Sequence, residues 1–402
     1  MRKAAGRVAV VVLVLDLTAC GGSHEPLEDD TPEPGAPGAP GAAGASGATL
    51  LSHACRQSER RSTEPASLAA RDVRALRSFD RRVGVALAAS RLREPDYAAA
   101  AAAQFNYATP ENEMKWDAIE PAPGQFNFAP AEAIVGFARD NAMLVKGHTL
   151  VWHSQLPAFV NALSGADAVR EAMARHIEAV VTHFRDRYPG VVIAWDVVNE
   201  ALDSQMGVVG FRDSVFYREL GEGYVAEAFE LARAADPEAL LFYNDFGIEG
   251  LGAKSNATYE AVRGWVEAGV PIDGVGFQMH TGSENRGPSH DELRANIARY
   301  AELGLLVNIS EMDVNLCTLS NGAFALEAQR FRYNRVVGTC LESPACESIA
   351  LWGVTDKYSW LNGSESCAEA AYLPKPLALD DAYAPKPAFW GIYDALDGCI
   401  YD

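Results

Sequence analysis

From Val83 onward the chain alternates between two hydrophobic rhythms. Short apolar runs of strand length are separated by longer stretches in which apolar residues recur every three or four positions, the spacing of an amphipathic helix. The runs predict strands at Arg82–Leu87, Tyr107–Thr109, Leu144–Trp152, from Val192 to Asn199, Leu240–Asp245, Gly274–His280, Leu305–Asp313 and Ile349–Gly353. Between and after them the spacing predicts helices at Tyr97–Phe105, Pro130–Asn141, Val169–Tyr188, Asp213–Ala235, Ser255–Ala268, Ser289–Leu303, Ala323–Leu341 and Pro387–Leu396, with a further helical stretch at Leu68–Phe79. Strict strand–helix alternation through eight of each is the pattern of a (β/α)8 TIM barrel, an α/β fold in a single catalytic domain. A doubly wound open sheet is the competing architecture, but no Gly-rich phosphate loop follows the first strand.

The polar residues with chemistry fall where these strands end. Val192–Asn199 leads into Glu200, and the strand from Leu305 carries Glu311 and Asp313. Glu111, Asn112, Lys115 and Trp116 follow the second strand; His148, Trp152 and His153 belong to the third. Tyr243, Asn244 and Asp245 close the fifth, Gln278 and His280 the sixth, and Trp352 the eighth, with Trp360 in the loop beyond. A barrel gathers all strand C-termini at one mouth, where such folds keep their active sites. Either glutamate alone reads as a solvated strand end. Two of them among Trp, amide and His residues suggest the carboxyl pair of a glycosidase. Trp faces stack on pyranose rings, and amides, imidazoles and a lysine supply fixed partners for hydroxyls. His280, between Glu311 and Asp313, is placed to hold Glu311 ionised and oriented. Histidines interspersed with Trp and amides make a poor metal site, and no cofactor or metal is called for. Trp195, in mid-strand, is expected in the core.

The segments before the barrel change the picture in a different way. Arg2, Lys3 and Arg7 precede an apolar run, Val8–Leu17, interrupted by Asp16 and too short to span a bilayer permanently. It ends in Leu17-Thr18-Ala19-Cys20 followed by Gly-Gly, which resembles the lipobox of bacterial lipoproteins. Residues 1–20 are therefore expected to be a lipoprotein-type signal with lipidation at Cys20, and residues 21–49, rich in Gly, Ala and Pro, a flexible tether. The catalytic domain is expected over 50–402, exported and lipid-anchored at the outer membrane or cell surface. A net charge of −20 argues against nucleic acid or an anionic membrane surface as partners, and nothing in the sequence calls for more than a monomer. Apart from Cys20 there are six cysteines, which allow fifteen pairings.

The motifs together resemble one family. Trp195-Asp196-Val197-Val198-Asn199-Glu200 and Ile309-Ser310-Glu311-Met312-Asp313 are similar to the acid/base and nucleophile signatures of glycoside hydrolase family 10, the endo-β-1,4-xylanases. Glu111-Asn112 with Lys115-Trp116, Gly147 to His153, Phe242 to Asp245 and Leu351 to Asp356 match its other motifs, in order. The resemblance implies a retaining endo-xylanase acting on xylan or xylo-oligosaccharides, with Glu200 as acid/base and Glu311 as nucleophile. It puts Glu111, Asn112, Lys115, His148, Trp152, Asn199, Gln278, His280, Trp352 and Trp360 on the glycone side of the cleft. Tyr243 and Asn244 would face the aglycone side. It also implies a Cys340–Cys346 disulfide; Cys317 with Cys367, and Cys55 with Cys399, are the pairings then expected. Ser310, Met312 and Gly247 depart from the residues usual in the family. A broader β-1,4-glucanase and a glycan-binding lipoprotein without catalysis are the alternatives, the second disfavoured by a complete glutamate pair.

Overall fold

The structure, a computed structural model, describes residues 75–205, 208–282, 287–317, 322–363 and 374–401. Cys20, the signal, the tether, Cys55, Cys367 and the start of the stretch Leu68–Phe79 lie outside them; the described end of that stretch is a short 3-10 turn, Leu76–Ser78.

Eight parallel strands pair in sequence order and close on themselves: β1 (Arg82–Leu87), β2 (Tyr107–Pro110), β3 (Leu144–Trp152), β4 (Val192–Asn199), β5 (Leu240–Asp245), β6 (Gly274–Phe277), β7 (Leu306–Asn315) and β8 (Cys346–Leu351). Closure is explicit in the register, with Val83 opposite Ile349 on one side and Gly84 opposite Tyr107 on the other. Eight helices follow the strands: α1 (Pro95–Gln104), α2 (Ala129–Asp140), α3 (Ala166–Arg187), α4 (Tyr224–Ala235), α5 (Ala253–Glu267), α6 (His290–Glu302), α7 (Gly322–Leu341) and α8 (Pro387–Leu396). The protein is a (β/α)8 barrel, as the alternation predicts.

The helices form because their apolar residues fall on one stripe. In α3, Val169, Ala172, Met173, His176, Ile177, Val180, Val181 and Phe184 are buried, a three–four spacing that faces the barrel. At the start of α6, Ser289 and Glu292 make a reciprocal capping box that satisfies free N–H groups of the first turn. The stretch Asp213–Ala235 is not one helix. Val215–Leu220 stops at Gly221, whose φ of +67° leaves the helical region, and α4 begins at Tyr224. The loop after β4 also holds a two-stranded antiparallel hairpin, Leu202–Gln205 with Val208–Phe211, that the apolar pattern does not announce.

Two features of the barrel wall set up the site. Glycines make room for large inward side chains: a Cβ on Gly147 would lie 2.1 Å from the Trp195 ring, and one on Gly276 would lie 2.1 Å from Asn244 Oδ1. Trp195 is indeed core. The register also slips near strand ends, between His148 and Val151, Asp196 and Val198, and Ile309 and Met312. Such irregularities bend a strand and re-aim its side chains. Here they fall on the stretches that carry the motif residues.

Candidate active site

A cavity of about 890 Å³ opens at the strand C-termini, and both motif glutamates line it. Glu200 is the residue immediately after β4, in the left-handed region at φ +57°, with its N–H donating to the Asn244 carbonyl at 2.8 Å. That turn lifts its side chain out of the strand alternation and into the mouth. Its Oε1 accepts from Gln278 Nε2 at 3.0 Å and from Asn199 Nδ2 at 3.3 Å, and Oε2 lies 3.8 Å from His153 Nδ1.

Glu311 sits at the register slip of β7, with a different set of neighbours. Asn244 Nδ2 donates to its Oε1 at 2.7 Å, His280 Nε2 lies 3.3 Å from Oε2, and His148 Nδ1 is 4.0 Å from Oε1. Burial by itself would raise this carboxyl. The charge of His148, the bond and charge of His280, and Lys146 outweigh burial and hold it at about 2. Its surroundings therefore favour the ionised form of Glu311.

These neighbours of Glu311 are held in turn by carboxylates. His280 Nδ1 lies 2.9 Å from Asp313 Oδ2, the same oxygen that accepts from Trp360 Nε1 at 2.8 Å. Burial would lower the His280 imidazole, but Asp313 and Glu311 raise it well above its ordinary value, so it faces Glu311 as a cation. His148 Nδ1 lies 2.9 Å from Asp196 Oδ2, and Lys146 Nζ reaches Asp196 Oδ1 at 3.1 Å and Oδ2 at 2.9 Å. Lys146 and Asp196 are both essentially inaccessible, a buried pair under the site. Amides join the two glutamates. Asn244 Nδ2 also donates to Asn199 Oδ1 at 2.9 Å, and Gln278 Nε2 reaches that oxygen at 3.4 Å while holding Glu200.

On the facing wall Lys115 Nζ donates to Asn112 Oδ1 at 2.9 Å and Gln155 Oε1 at 2.8 Å, and lies 4.9 Å from the centre of the Trp152 ring. Burial lowers this ammonium against the pull of Glu311 and Glu111. Burial likewise pushes the Glu111 carboxyl up to about 7, Lys115 opposing and Glu113 reinforcing. Trp352 stands edge-on to His148, with ring centres 5.2 Å apart, and Trp360 is half exposed at the rim. Among the described residues, no group of three or more His, Cys, Asp and Glu is arranged to hold a metal ion.

The cavity thus brings together Glu111, Asn112, Lys115, His148, Trp152, Asn199, Gln278, His280, Asp313, Trp352 and Trp360 with the two glutamates. Two of the expected residues do not line it. Tyr243 is fully buried, its hydroxyl donating to Asp245 Oδ2 at 2.6 Å and accepting from the Leu202 N–H at 3.3 Å; it supports the β5 end from behind instead of facing an aglycone. Asn244 is fully buried too, and serves Glu311 and Asn199. The period-two rhythm of a strand puts neighbours 243 and 244 on opposite faces, so both were never going to reach the cleft. Among the side chains that had no assigned role, Lys146 and Asp196 lie buried beneath the site and Gln155 lines it. A lysine and an aspartate set in otherwise apolar strands were the available signal, since such charges go inside only when paired. Cys340 and Cys346 form the expected disulfide, with Cα atoms 5.2 Å apart between α7 and β8. Cys317 and Cys399 are also disulfide-bonded, but the expected partners Cys367 and Cys55 lie outside the described residues.

Comparison with known proteins agrees with this geometry. The sequence profile of glycosyl hydrolase family 10 matches residues 72–395. Endo-1,4-beta-xylanase B of Thermotoga neapolitana is 42% identical over 305 residues, which cover 75% of this chain and 83% of that protein. Endo-1,4-beta-xylanase 5 of Pyricularia oryzae is 41% identical over 294 residues, 73% of this chain and 69% of that one. Among solved structures, native xylanase 10B from Thermotoga maritima superposes with a TM-score of 0.74 at 39% identity, covering 81% of this chain and 98% of the other. A mutant of xylanase 10C from Cellvibrio japonicus, solved in complex with xylopentaose, gives 0.76 at 36% identity, covering 83% of this chain and 71% of the other. With a match that runs through nearly the whole barrel and both glutamate signatures, the chain belongs to glycosyl hydrolase family 10.

Proposed function

We propose that the protein is a retaining endo-β-1,4-xylanase that cleaves internal bonds of xylan by double displacement. The observation that carries this reading is the asymmetry of the carboxyl pair. Glu311 is ringed by His148, His280 and Lys146 and held ionised at about 2, whereas Glu200 has amide partners and a histidine at 3.8 Å. A carboxylate kept charged suits attack on the anomeric carbon, and its partner suits proton donation to the departing glycosidic oxygen. In the first step Glu311 forms an ester bond to C1 as the C1–O bond breaks and Glu200 gives its proton to the leaving oxygen. In the second, Glu200 takes a proton from water, water adds to C1, and the ester bond to Glu311 breaks. The relatives named above are endo-1,4-beta-xylanases, and one is solved with xylopentaose, which supports xylan as the polymer.

The test compares reducing-sugar release from β-1,4-xylan and cellulose by the protein and by Glu311→Ala, with the anomer of the first product followed by NMR. A loss on the order of 10⁴-fold in the variant, a β-anomer first and little turnover of cellulose are expected. An α-anomer as the initial product would exclude double displacement, and equal, negligible release by both proteins would exclude the activity.

We further infer export and lipid attachment at Cys20, with residues 21–49 as a tether, from the basic, apolar and Leu-Thr-Ala-Cys order of the first residues. Incorporation of labelled fatty acid into the expressed protein, abolished by Cys20→Ala, tests this directly.

A further inference from the structure

Outside the active-site cleft, a second cavity of about 210 Å³ lies between α6 and α7, and its chemistry differs from that of the surface around it. Two guanidiniums, Arg332 and Arg335, line it one helical turn apart, together with His290 and Thr339 and the ring of Phe331. Neither arginine has an acidic partner among the described residues. Arg332 Nη1 is spent on the Pro288 carbonyl at 2.7 Å and Arg335 Nη1 on the Tyr401 carbonyl at 2.6 Å. Among the described residues these are the side-chain hydrogen bonds of the two forks, each to a backbone carbonyl. The nearby carboxylate, Glu342, is taken up by Arg294 at 2.8 Å and by His290 at 3.4 Å. Burial alone depresses the Arg332 guanidinium, with no neighbouring charge offsetting it.

The chain as a whole carries a net charge of −20, and two part-buried guanidiniums with no acidic partner among the described residues cost desolvation that a carboxylate would offset. Phe331 is 43% exposed at the same mouth, an apolar ring for a ligand's apolar face. A guanidinium fork beside an aromatic ring is a combination that recognises a sugar acid: the ring takes the pyranose face and the guanidiniums take the carboxylate. The position favours the same ligand. Pro288, just before α6, lines both this cavity and the active-site cleft, so the two are neighbours.

We propose that the α6–α7 cavity is a binding site for a uronic acid carried as a side group on the polysaccharide, with Arg332 and Arg335 holding its carboxylate and Phe331 its ring. The choice of polymer rests on the function proposed above; the acidic-sugar chemistry of the site does not.

The test measures binding of free glucuronate, of a xylo-oligosaccharide bearing one glucuronic acid, of the unsubstituted oligosaccharide and of inorganic phosphate by titration calorimetry. Oligosaccharides are titrated into the full-length Glu311→Gln protein to prevent turnover, and free glucuronate into the wild type as well. Glucuronate should saturate one site on both proteins. Its affinity should fall at least tenfold in the Arg332→Met/Arg335→Met double variant and several-fold in Phe331→Ala. The double variant, made in the wild-type background, should keep kcat/KM on unsubstituted xylan, which shows that it folds. Glucuronate binding that is absent, or undiminished in the folded double variant, overturns the proposal, as does phosphate binding as tightly as glucuronate. Failure of xylan hydrolysis with glucuronate binding intact would remove the proposed activity and leave this site standing.

Discussion

Removing the Asn244 side chain tests the argument that Glu311 works because its surroundings keep it charged and aimed. Asn244→Ala deletes a donor 2.7 Å from Glu311 Oε1 and breaks the link to Asn199 at 2.9 Å, while every group that can touch a sugar stays in place. A hydrogen bond to a charged group is worth about 1.5–3 kcal/mol, and each ~1.4 kcal/mol is tenfold in rate, so kcat/KM should fall roughly 10- to 150-fold. The pH profile should move as well. Asn244 donates to the charged form of Glu311, so its loss lets the carboxyl climb from about 2 toward its ordinary value. The acid limb of kcat/KM, which reports the free enzyme, then shifts to higher pH. Folding weakens too, because Ser310 Oγ loses the acceptor it now holds at 2.6 Å and both groups are buried. Initial rates on a defined xylo-oligosaccharide from pH 3 to 8, with thermal melts of the same samples, make the measurement. A variant that kept more than half of kcat/KM with an unmoved acid limb would refute the reasoning, because the bond to Glu311 would then be ornamental.

Other outcomes follow from the same geometry. Gly276→Ala places a Cβ 2.1 Å from Asn244 Oδ1, so it should reproduce the activity loss of Asn244→Ala without deleting a polar group, checked by the same rate assay. Glu111→Gln should raise the melting temperature at pH 8 but not at pH 4. The folded carboxyl titrates at about 7, above its unfolded value near 4.5, so its charge weighs against the fold as pH rises through that window and is absent below it. Cys340→Ser opens a loop whose ends are six residues apart; closing so short a loop contributes about 2 kcal/mol, and a calorimetric melt should show a drop of a few degrees with kcat/KM unchanged. Lys146→Met leaves Asp196 charged, buried and without its lysine partner, and should destabilise the fold by about 3–5 kcal/mol in chemical denaturation, more than Asp196→Asn paired with Lys146→Met.

The barrel was legible because its elements answer to local rules. β3, β5 and α8 begin and end where the apolar pattern says, since a strand buried on both faces reads as a continuous apolar run and an amphipathic helix as a stripe. The misreadings have local causes that the same rhythm cannot carry. The stretch from Asp213 looks like one helix because its apolar spacing continues across Gly221, and only the backbone conformation at that glycine ends it. The predicted strand through His280 is cut at Met279, where φ is +60° and the N–H donates to Glu249 Oε1 at 3.1 Å. After the break His280 and Thr281 pair with Asp313 and Val314. That kink aims His280 between the two acids, so the site depends on the very irregularity that hides it from a periodic reading.

The site itself divides along a similar line. Residues that line the cavity could be picked out by type and by position at strand ends. Residues that set the charge state of the pair could not, because their partners are far away in sequence. Asp196 stands four places before Glu200 in the most conspicuous motif of the chain, yet its partners Lys146 and His148 come from another strand. The inward faces of neighbouring strands must be read together before a lysine in an apolar run becomes a counter-ion. Asn244 shows the same limit from the other side. Its type suggested a hydroxyl partner in the cleft, but Gly276 on the adjacent strand leaves a space only the amide can fill, so it turns inward to Glu311. Which amide lines the cavity and which bonds Glu311 thus depends on the missing side chain across the barrel wall, and a glycine at a strand interior is the residue whose meaning sequence reading most needs a neighbour to supply.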